Sequence, residues 1–459
     1  MTLLAINWPA VGLQAGYLVF SLSILVIVHE FGHYITAKWF KCRVEKFYLF
    51  FDPWFSIFKK KIGGTEYGIG WLPLGGYVKI SGMVDESMDK EQMNQPPQPW
   101  EFRSKPAWQR LIILLAGVTM NVLLAFAIYA MILFTWGQTK LPMQSVKNGI
   151  WVTDSLISKI GLQNGDKIEA INGEPIQYFD DVPAKILLGK QITVERNGKE
   201  ELLNVPVNMI EQLVEQKGKR STFVMPRTPL IAGTFDAKDT TPAKIAGLQG
   251  FDKIIKVDST PIIYFDQLAG YLKNKKGDTV TLLVSRNEQP VQLKVKVDND
   301  GKIGVNGLSA EQYDSLGIFK LETKKYGFLA SFPAGIKQTG KMLDSYIQQF
   351  KMILNPETGA YKGLGGFKAM ASIFPDTGWD WEAFWKITAF FSIILAFMNL
   401  LPIPALDGGH VVFTIVEMIT GRKPSDKFLE YAQIVGMVIL FALLIFANGN
   451  DWFGWGRGH

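Results

Sequence analysis

The stretch GLQAGYLVFSLSILVIVHEFGHYITA, residues 12–37, carries a metal-ligand motif inside an apolar run that is long enough to cross a bilayer. Its charged and imidazole side chains are those of His29, Glu30 and His33. Residues four apart share one face of a helix, so the two histidines can hold one zinc ion while the glutamate points toward a zinc-bound water. Ionisable groups are costly at membrane depth and indicate a functional site. The stretch therefore predicts a membrane span that contains a hydrolytic metal centre.

Apolar stretches of similar length recur along the 459-residue chain, but the chain as a whole is too polar to lie mostly in the membrane. The pattern predicts a polytopic α-helical membrane protein with four transmembrane helices and a large polar insert between the second and the third. The predicted segments are the first span at 1–40, a loop at 41–106, the second span at 107–137, the insert at 138–309, an amphipathic segment at 310–384, the third span at 385–420 and the fourth at 428–449.

The short loops set the expected orientation, because lysine and arginine are enriched in loops on the cytoplasmic side. Seven of these residues lie between Lys38 and Lys61, after the first span, and the loop before the fourth span contains Arg422, Lys423 and Lys427. We therefore expect both termini and the insert on the outer side, and the metal centre toward the cytoplasm. These loops account for the net charge of +6 without nucleic acid as a partner.

The insert contains an internal repeat. The sequence GLQNGDKI at residues 161–168 returns as GLQGFDKI at residues 247–254, which is 86 residues later. A unit of that length is domain-sized, so we expect two tandem α+β domains, at 138–225 and 226–309. The single cysteine, Cys42, lies outside the insert, and these domains must therefore be stabilised by packing without an internal disulfide.

The first repeat, which continues to Asn172–Gly173, resembles the signature of the PDZ domains of bacterial envelope proteases. The second repeat departs from this signature at Asp258–Ser259. The resemblance implies a groove that receives an extended peptide as an added strand. A domain pair that acts only as a spacer or as a steric gate is the alternative, and the sequence leaves these readings open.

The motif of the first span is one ligand short, because a catalytic zinc has three protein ligands and one open position. The third span supplies Asp407 and His410 within NLLPIPALDGGH, residues 399–410. Asp407 is favoured, since a carboxylate at membrane depth requires a cationic partner. The surrounding prolines and glycines loosen the helix and free backbone groups, which are tolerated where they line a cavity. Imidazole and carboxylate bind several divalent ions, so Zn²⁺ is a prediction from ligand type.

These motifs together resemble those of the site-2 protease family. HEFGH in the first span, NLLPIPALDG in the third span and the PDZ-like repeats between the second and third spans carry the resemblance, which covers essentially the whole chain. It implies a zinc site formed by His29, His33 and Asp407. It also implies Glu30 as general base and Asn399 as a polar contact to the substrate backbone or the developing oxyanion.

One motif departs from the family pattern. Members carry Gly-Pro-x-x-Asn in the second span, where this chain has GVTMN at residues 117–121. Without the proline, the sequence no longer predicts a local kink in the second span, whereas the proposed chemistry is unaffected.

The resemblance also implies a setting and a substrate. The expected enzyme lies in a bacterial inner membrane, with the PDZ-like domains and both termini in the periplasm. It would cut single-span membrane proteins already shortened by another protease, such as an anti-sigma factor in envelope stress signalling, with signal-peptide remnants as a second class. The competing function is a membrane-tethered PDZ adaptor with a non-catalytic metal site.

Two further segments carry structural predictions. The glycine-punctuated segment 63–80 resembles the re-entrant β element of the family, and we expect a hairpin that dips into the membrane and pairs with an unwound substrate. The segment 310–384 has a helical apolar pattern between Met342 and Leu354 and is rich in tryptophan near its end. It is expected to be an amphipathic lid or gate support at the outer interface, or a helix packed against the PDZ-like pair.

Overall fold

The computed structural model describes residues 7–83, 96–216, 223–236 and 238–456. The chain divides into two compact units. The first comprises the chain up to Gly137, Lys325–Leu354 and everything from Tyr361 onward, and the second comprises Gln138–Lys324 and Asn355–Ala360.

In chain order, the helices are α1 (Trp8–Trp39), α2 (Ala107–Thr135), α3 (Ser155–Lys159), α4 (Val182–Leu188), α5 (Met209–Glu215), α6 (Pro242–Ile245), α7 (Phe265–Leu272), α8 (Ala310–Ser315), α9 (Phe328–Leu354), α10 (Phe367–Ala371), α11 (Trp381–Leu400), α12 (Asp407–Thr420) and α13 (Asp426–Phe453). The strands are β1 (Val44–Ile62), β2 (Thr65–Ile80), β3 (Gln138–Lys140), β4 (Ile150–Val152), β5 (Lys167–Ile171), β6 (Glu174–Pro175), β7 (Gln191–Arg196), β8 (Lys199–Asn204), β9 (Val224–Pro226), β10 (Lys253–Val257), β11 (Thr260–Pro261), β12 (Thr279–Arg286), β13 (Gln289–Lys296) and β14 (Glu322–Lys324).

Among the described residues, four helices of the first unit are long and apolar enough to cross a membrane: α1, α2, α11 and α13. Their number and order agree with the predicted polytopic membrane protein. The predicted third span at 385–420 differs in detail, because it consists of two helices. α11 ends at Leu400 and α12 begins at Asp407, since Pro402 and Pro404 interrupt the helix between them. This break places Asp407 in the first turn of a new helix.

Small and hydroxyl-bearing residues bring α1, α2 and α11 close together, as is common where helices pack in membranes. A Cβ atom on Gly32 of α1 would lie 2.5 Å from the carbonyl oxygen of Ala116 on α2. The hydroxyl of Thr388 on α11 donates a hydrogen bond of 3.0 Å to Ser21 on α1. These contacts position the metal-ligand motif of α1 beside both other helices.

β1 and β2 form the hairpin that was predicted from residues 63–80, but the hairpin is larger than predicted. Its turn is at Gly63–Gly64, where both glycines have positive φ, and its first strand begins at Val44. Residues 66–69 of β2 pair both with residues 46–49 and with residues 58–61 of β1. The hairpin is longer because the aromatic-rich segment from Val44 onward also pairs with β2. The glycines of the turn do not by themselves indicate this pairing.

In the second unit, each of the two sequence repeats forms its own four-stranded sheet, and the two sheets have the same topology. The strand order is β6-β5-β7-β8 in the first repeat and β11-β10-β12-β13 in the second, with antiparallel pairing throughout. Equivalent ion pairs stabilise both copies: Arg196 contacts Asp166 at 2.7 Å and Arg286 contacts Asp252 at 2.7 Å. Each repeat also has its own buried apolar cluster. The duplication that is visible in the sequence is therefore a duplication of structure.

The helical pattern predicted after the repeats lies within α9, which packs lengthwise against α2 and α11. Phe328 packs on Phe134 at one end of α9, and Phe350 packs on Phe397 toward the other. α9 belongs to the first unit. Close packing near Gly335 brings α9 alongside α2.

Candidate active site

Side chains from opposite ends of the sequence meet where α1 faces the start of α12. Nε2 of His29 lies 3.2 Å from Oδ2 of Asp407, and Nε2 of His33 lies 3.3 Å from the same oxygen. The two Nε2 atoms are 3.2 Å apart. Ligands of a tetrahedral zinc ion with bonds of about 2.0 Å are about 3.3 Å apart. The three atoms therefore form a triangle of the size that zinc requires.

The surroundings of His33 and Asp407 leave lone pairs that can bind a metal. Nδ1 of His33 lies 2.8 Å from the carbonyl oxygen of Ile113, so Nδ1 carries the proton and donates it, and Nε2 is left as an acceptor. Oδ2 of Asp407 is buried and has no hydrogen-bond donor among the described residues. Buried acceptors without a donor are unfavourable unless a cation joins them. Two imidazoles and one carboxylate thus fit a zinc ion.

The second span approaches the triangle at Gly117. A Cβ atom at this position would lie 2.3 Å from Nε2 of His33 and 2.7 Å from Cε1 of His29. Any side chain would therefore displace an imidazole, which gives a physical reason for glycine here. One turn further along α2, the side-chain amide of Asn121 lies 3.1 Å from Nδ1 of His29.

Glu30 and Asn399 lie beside the triangle. Glu30 is half-buried and faces β2, because a Cβ atom on Gly76 would lie 3.6 Å from its Cγ atom. The amide nitrogen of Asn399, at the end of α11, lies 3.4 Å from Nε2 of His29. Of the two third-span candidates, Asp407 joins the histidines, and His410 does not belong to this group. The structure thus brings together His29, Glu30, His33, Asn399 and Asp407, and it leaves His410 outside the group.

The sequence did not predict a role for Gly117 or Asn121, although both belong to the segment GVTMN of the second span, residues 117–121. The sequence feature that could have indicated such a role is an asparagine one helical turn after a glycine inside an apolar span. Its meaning depends on which face of α2 meets α1, and a single sequence does not specify that face.

Comparison with known proteins supports a common origin across the chain. A sequence model of peptidase family M50 matches residues 17–443. The regulator of sigma E protease of Haemophilus influenzae is 26% identical over 458 residues, which cover 95% of this chain and 98% of that protein. The regulator of sigma-E protease of Escherichia coli is 27% identical over 448 residues, which cover 94% of this chain and 96% of that protein. A Vibrio cholerae protein named a zinc metalloprotease is 28% identical over 459 residues, which cover 94% of this chain and 97% of that protein.

These matches confirm the predicted resemblance to site-2 proteases and, within them, to the bacterial regulator of sigma-E protease. The matched region runs from α1 to α13 and includes the histidine motif, the repeats and Asp407. The names of the relatives also agree with zinc as the metal. The chain therefore belongs to peptidase family M50, the site-2 proteases.

Proposed function

We propose that the protein is an intramembrane zinc metalloprotease that hydrolyses peptide bonds in the transmembrane segments of pre-cleaved, single-span membrane proteins. The observation that carries this proposal is the triangle of His29, His33 and Asp407 with Glu30 beside it. Three protein ligands leave a position open, whereas a structural zinc has four protein ligands and usually includes cysteine. The only cysteine, Cys42, lies outside the triangle, which argues against the adaptor alternative.

Each residue near the triangle has a proposed role. A bound Zn²⁺ would supply Lewis-acid activation of the scissile carbonyl and of the attacking water. The Glu30 carboxylate accepts the proton of that water and delivers it to the nitrogen of the leaving amine. The amide of Asn399, next to His29, contacts the substrate backbone or the oxyanion that develops on it.

The hairpin supports binding of an unwound substrate. A peptide bond in a transmembrane helix must lose its helical hydrogen bonds before hydrolysis, and lipid offers no replacement. Glu30 lies against β2, where a Cβ atom on Gly76 would be 3.6 Å from its Cγ atom, so the edge of β2 at this position faces the proposed reaction centre. We propose that the substrate adds to this edge as an extended strand.

The surface of the hairpin suits a membrane-associated position. Trp54 is 91% exposed, and Phe55 and Phe58 are also exposed. These side chains precede the three consecutive lysines 59–61. Exposed aromatic side chains beside lysines are typical of a membrane interface on the cytoplasmic side.

The proposal also includes the orientation of the protein in the membrane and the class of its substrate. The lysine-rich loop after α1 supports a cytoplasmic active centre, with both termini and the PDZ-like repeats in the periplasm of a bacterial inner membrane. Two relatives are named regulators of sigma E, which supports an anti-sigma factor as substrate. The repeats would either bind peptide or act as a size filter for substrates that have not been pre-cleaved.

The proposal is tested with purified full-length protein in detergent and a single-span substrate truncated on its outer side. Mass spectrometry of the products, with and without a zinc chelator, identifies the cleaved bond. We expect cleavage within the transmembrane segment that stops with the chelator and returns with added zinc. Unchanged cleavage in the chelator, or products cut only outside the membrane segment, would contradict the proposal.

A further inference from the structure

We propose that Asn121 is a positioning residue whose side-chain oxygen accepts a hydrogen bond from Nδ1 of His29. This bond would hold the imidazole with Nε2 directed at the metal position. The inference rests on the proposed function, because it assumes that His29 is a zinc ligand.

Burial and contacts limit what the Asn121 side chain can do. Asn121 lies in the middle of α2 and has no exposed surface. Its amide nitrogen lies 3.1 Å from Nδ1 of His29, and its amide oxygen is at the other end. The other end has no hydrogen-bond partner among the described residues. A buried amide is unfavourable without hydrogen bonds, so the contact with His29 determines which way round the amide lies.

The chemistry of His29 decides between the two orientations. Nε2 of His29 is the atom that forms the triangle with His33 and Asp407, and it must present a lone pair to bind a metal. The proton of the neutral ring is therefore on Nδ1, which becomes a donor. The amide nitrogen, which faces Nδ1 in the structure, would then set two donors face to face. With zinc bound, the amide is therefore turned round, and its oxygen faces the ring. The oxygen and nitrogen of an amide are assigned from such networks.

The neighbouring histidine has the same arrangement. Nδ1 of His33 donates to the backbone carbonyl of Ile113, which is also on α2. α2 thus supplies one acceptor to each imidazole, a backbone oxygen for His33 and a side-chain oxygen for His29. Such acceptors behind metal-binding histidines fix the orientation of the ring and its tautomer.

The backbone of Asn121 makes a packing contact that is separate from its side chain. The hydroxyl of Ser392 on α11 donates a hydrogen bond of 2.8 Å to the backbone carbonyl of Asn121. This contact joins α2 to α11 at the same residue but does not touch the ring of His29. Ser392 therefore provides a control for effects of packing at this position.

The test measures the zinc dissociation constant of the full-length protein in detergent by competition with a chelator. We compare the wild type with Asn121→Leu, which removes the acceptor, Asn121→Asp, which keeps an acceptor and removes the amide donor, and Ser392→Ala. We expect Asn121→Leu to weaken zinc binding by about 10- to 100-fold, as for other residues that orient metal-binding histidines. Asn121→Asp and Ser392→Ala should stay near the wild-type constant.

Two results would overturn the inference. Wild-type affinity in Asn121→Leu would show that the contact does not orient His29. An equal loss in Asn121→Asp and Asn121→Leu would show that the amide nitrogen or the shape of the side chain matters instead. Asn121→Ala replaces the leucine variant if that variant does not fold. A wild-type protein that binds no zinc would instead overturn the proposed function.

Discussion

Nε2 of His29 lies 3.2 Å from Oδ2 of Asp407, although the two residues belong to the first and the penultimate helices of the described chain. The contact requires α1 and α12 to be neighbours within the first unit. The break between α11 and α12 makes this possible, because it places Asp407 at the start of a helix. The proposed metal site therefore depends on how the spans pack. Variants at the site test metal binding and catalysis, and variants at the packing contacts test the arrangement of the helices.

The first prediction concerns Glu30→Gln. Glutamine keeps the size of the side chain but does not accept a proton, so cleavage should fall by at least about 100-fold while zinc remains bound. Zinc content by mass spectrometry and product formation from the truncated substrate are measured on the same preparation. Substantial residual cleavage would show that Glu30 is not the general base.

The second prediction concerns Asp407→Asn. The change removes the negative charge from the triangle, and we expect a large loss of bound zinc together with cleavage. His410→Gln is the matched control, since His410 follows on the same helix and lies outside the triangle. Equal zinc content in wild type and Asp407→Asn would rule out Asp407 as a ligand.

The third prediction concerns the close approach of α1 and α2. A Cβ atom on Gly32 would lie 2.5 Å from the backbone of Ala116, whereas a Cβ atom on Gly16 of the same helix would meet nothing within 4 Å. Gly32→Ala should lower the free energy of unfolding by about 1–3 kcal/mol, and Gly16→Ala should not lower it. Thermal unfolding in detergent compares them, and equal midpoints would contradict the packing described here.

The fourth prediction concerns the repeats. Asp166 is 1% exposed, and its hydrogen bonds raise the pKa of the Arg196 guanidinium above the ordinary value. Arg196→Met would leave a buried charge unpaired, which destabilises a domain by about 3–5 kcal/mol. Lys167→Met is the control, because Lys167 forms an exposed pair with Glu195 and such pairs contribute about 0–1 kcal/mol.

Hydrogen exchange in the full-length protein locates the effect of these two variants. Amides of β5 and β7 should exchange faster in Arg196→Met, and those of the equivalent strands β10 and β12 should change less. The same protection in Arg196→Met and Lys167→Met would show that the buried pair does not stabilise the repeat.

Sequence alone predicted the parts of the site that depend on local geometry or on charge. The spacing of His29 and His33 is a property of any helix, and a carboxylate such as Asp407 at membrane depth requires a partner. The repeat was equally visible, and the structure forms the same four-stranded sheet twice.

The remaining features depend on packing between distant segments. The donation from His33 to Ile113 and the contact of Asn121 with His29 require a particular face of α2 to meet α1. The double pairing of residues 66–69 depends on the register between two long strands, and apolar pattern alone does not determine register in such a hairpin. The lengthwise packing of α9 likewise follows from its contacts with α2 and α11.

Anomalous diffraction at the zinc absorption edge from crystals of the full-length protein tests the metal site directly. We expect one anomalous peak at about 2.0–2.2 Å from Nε2 of His29, Nε2 of His33 and a carboxylate oxygen of Asp407. A zinc ion bound elsewhere, or one held by the histidines with Asp407 beyond coordination distance, would contradict the proposed metal site.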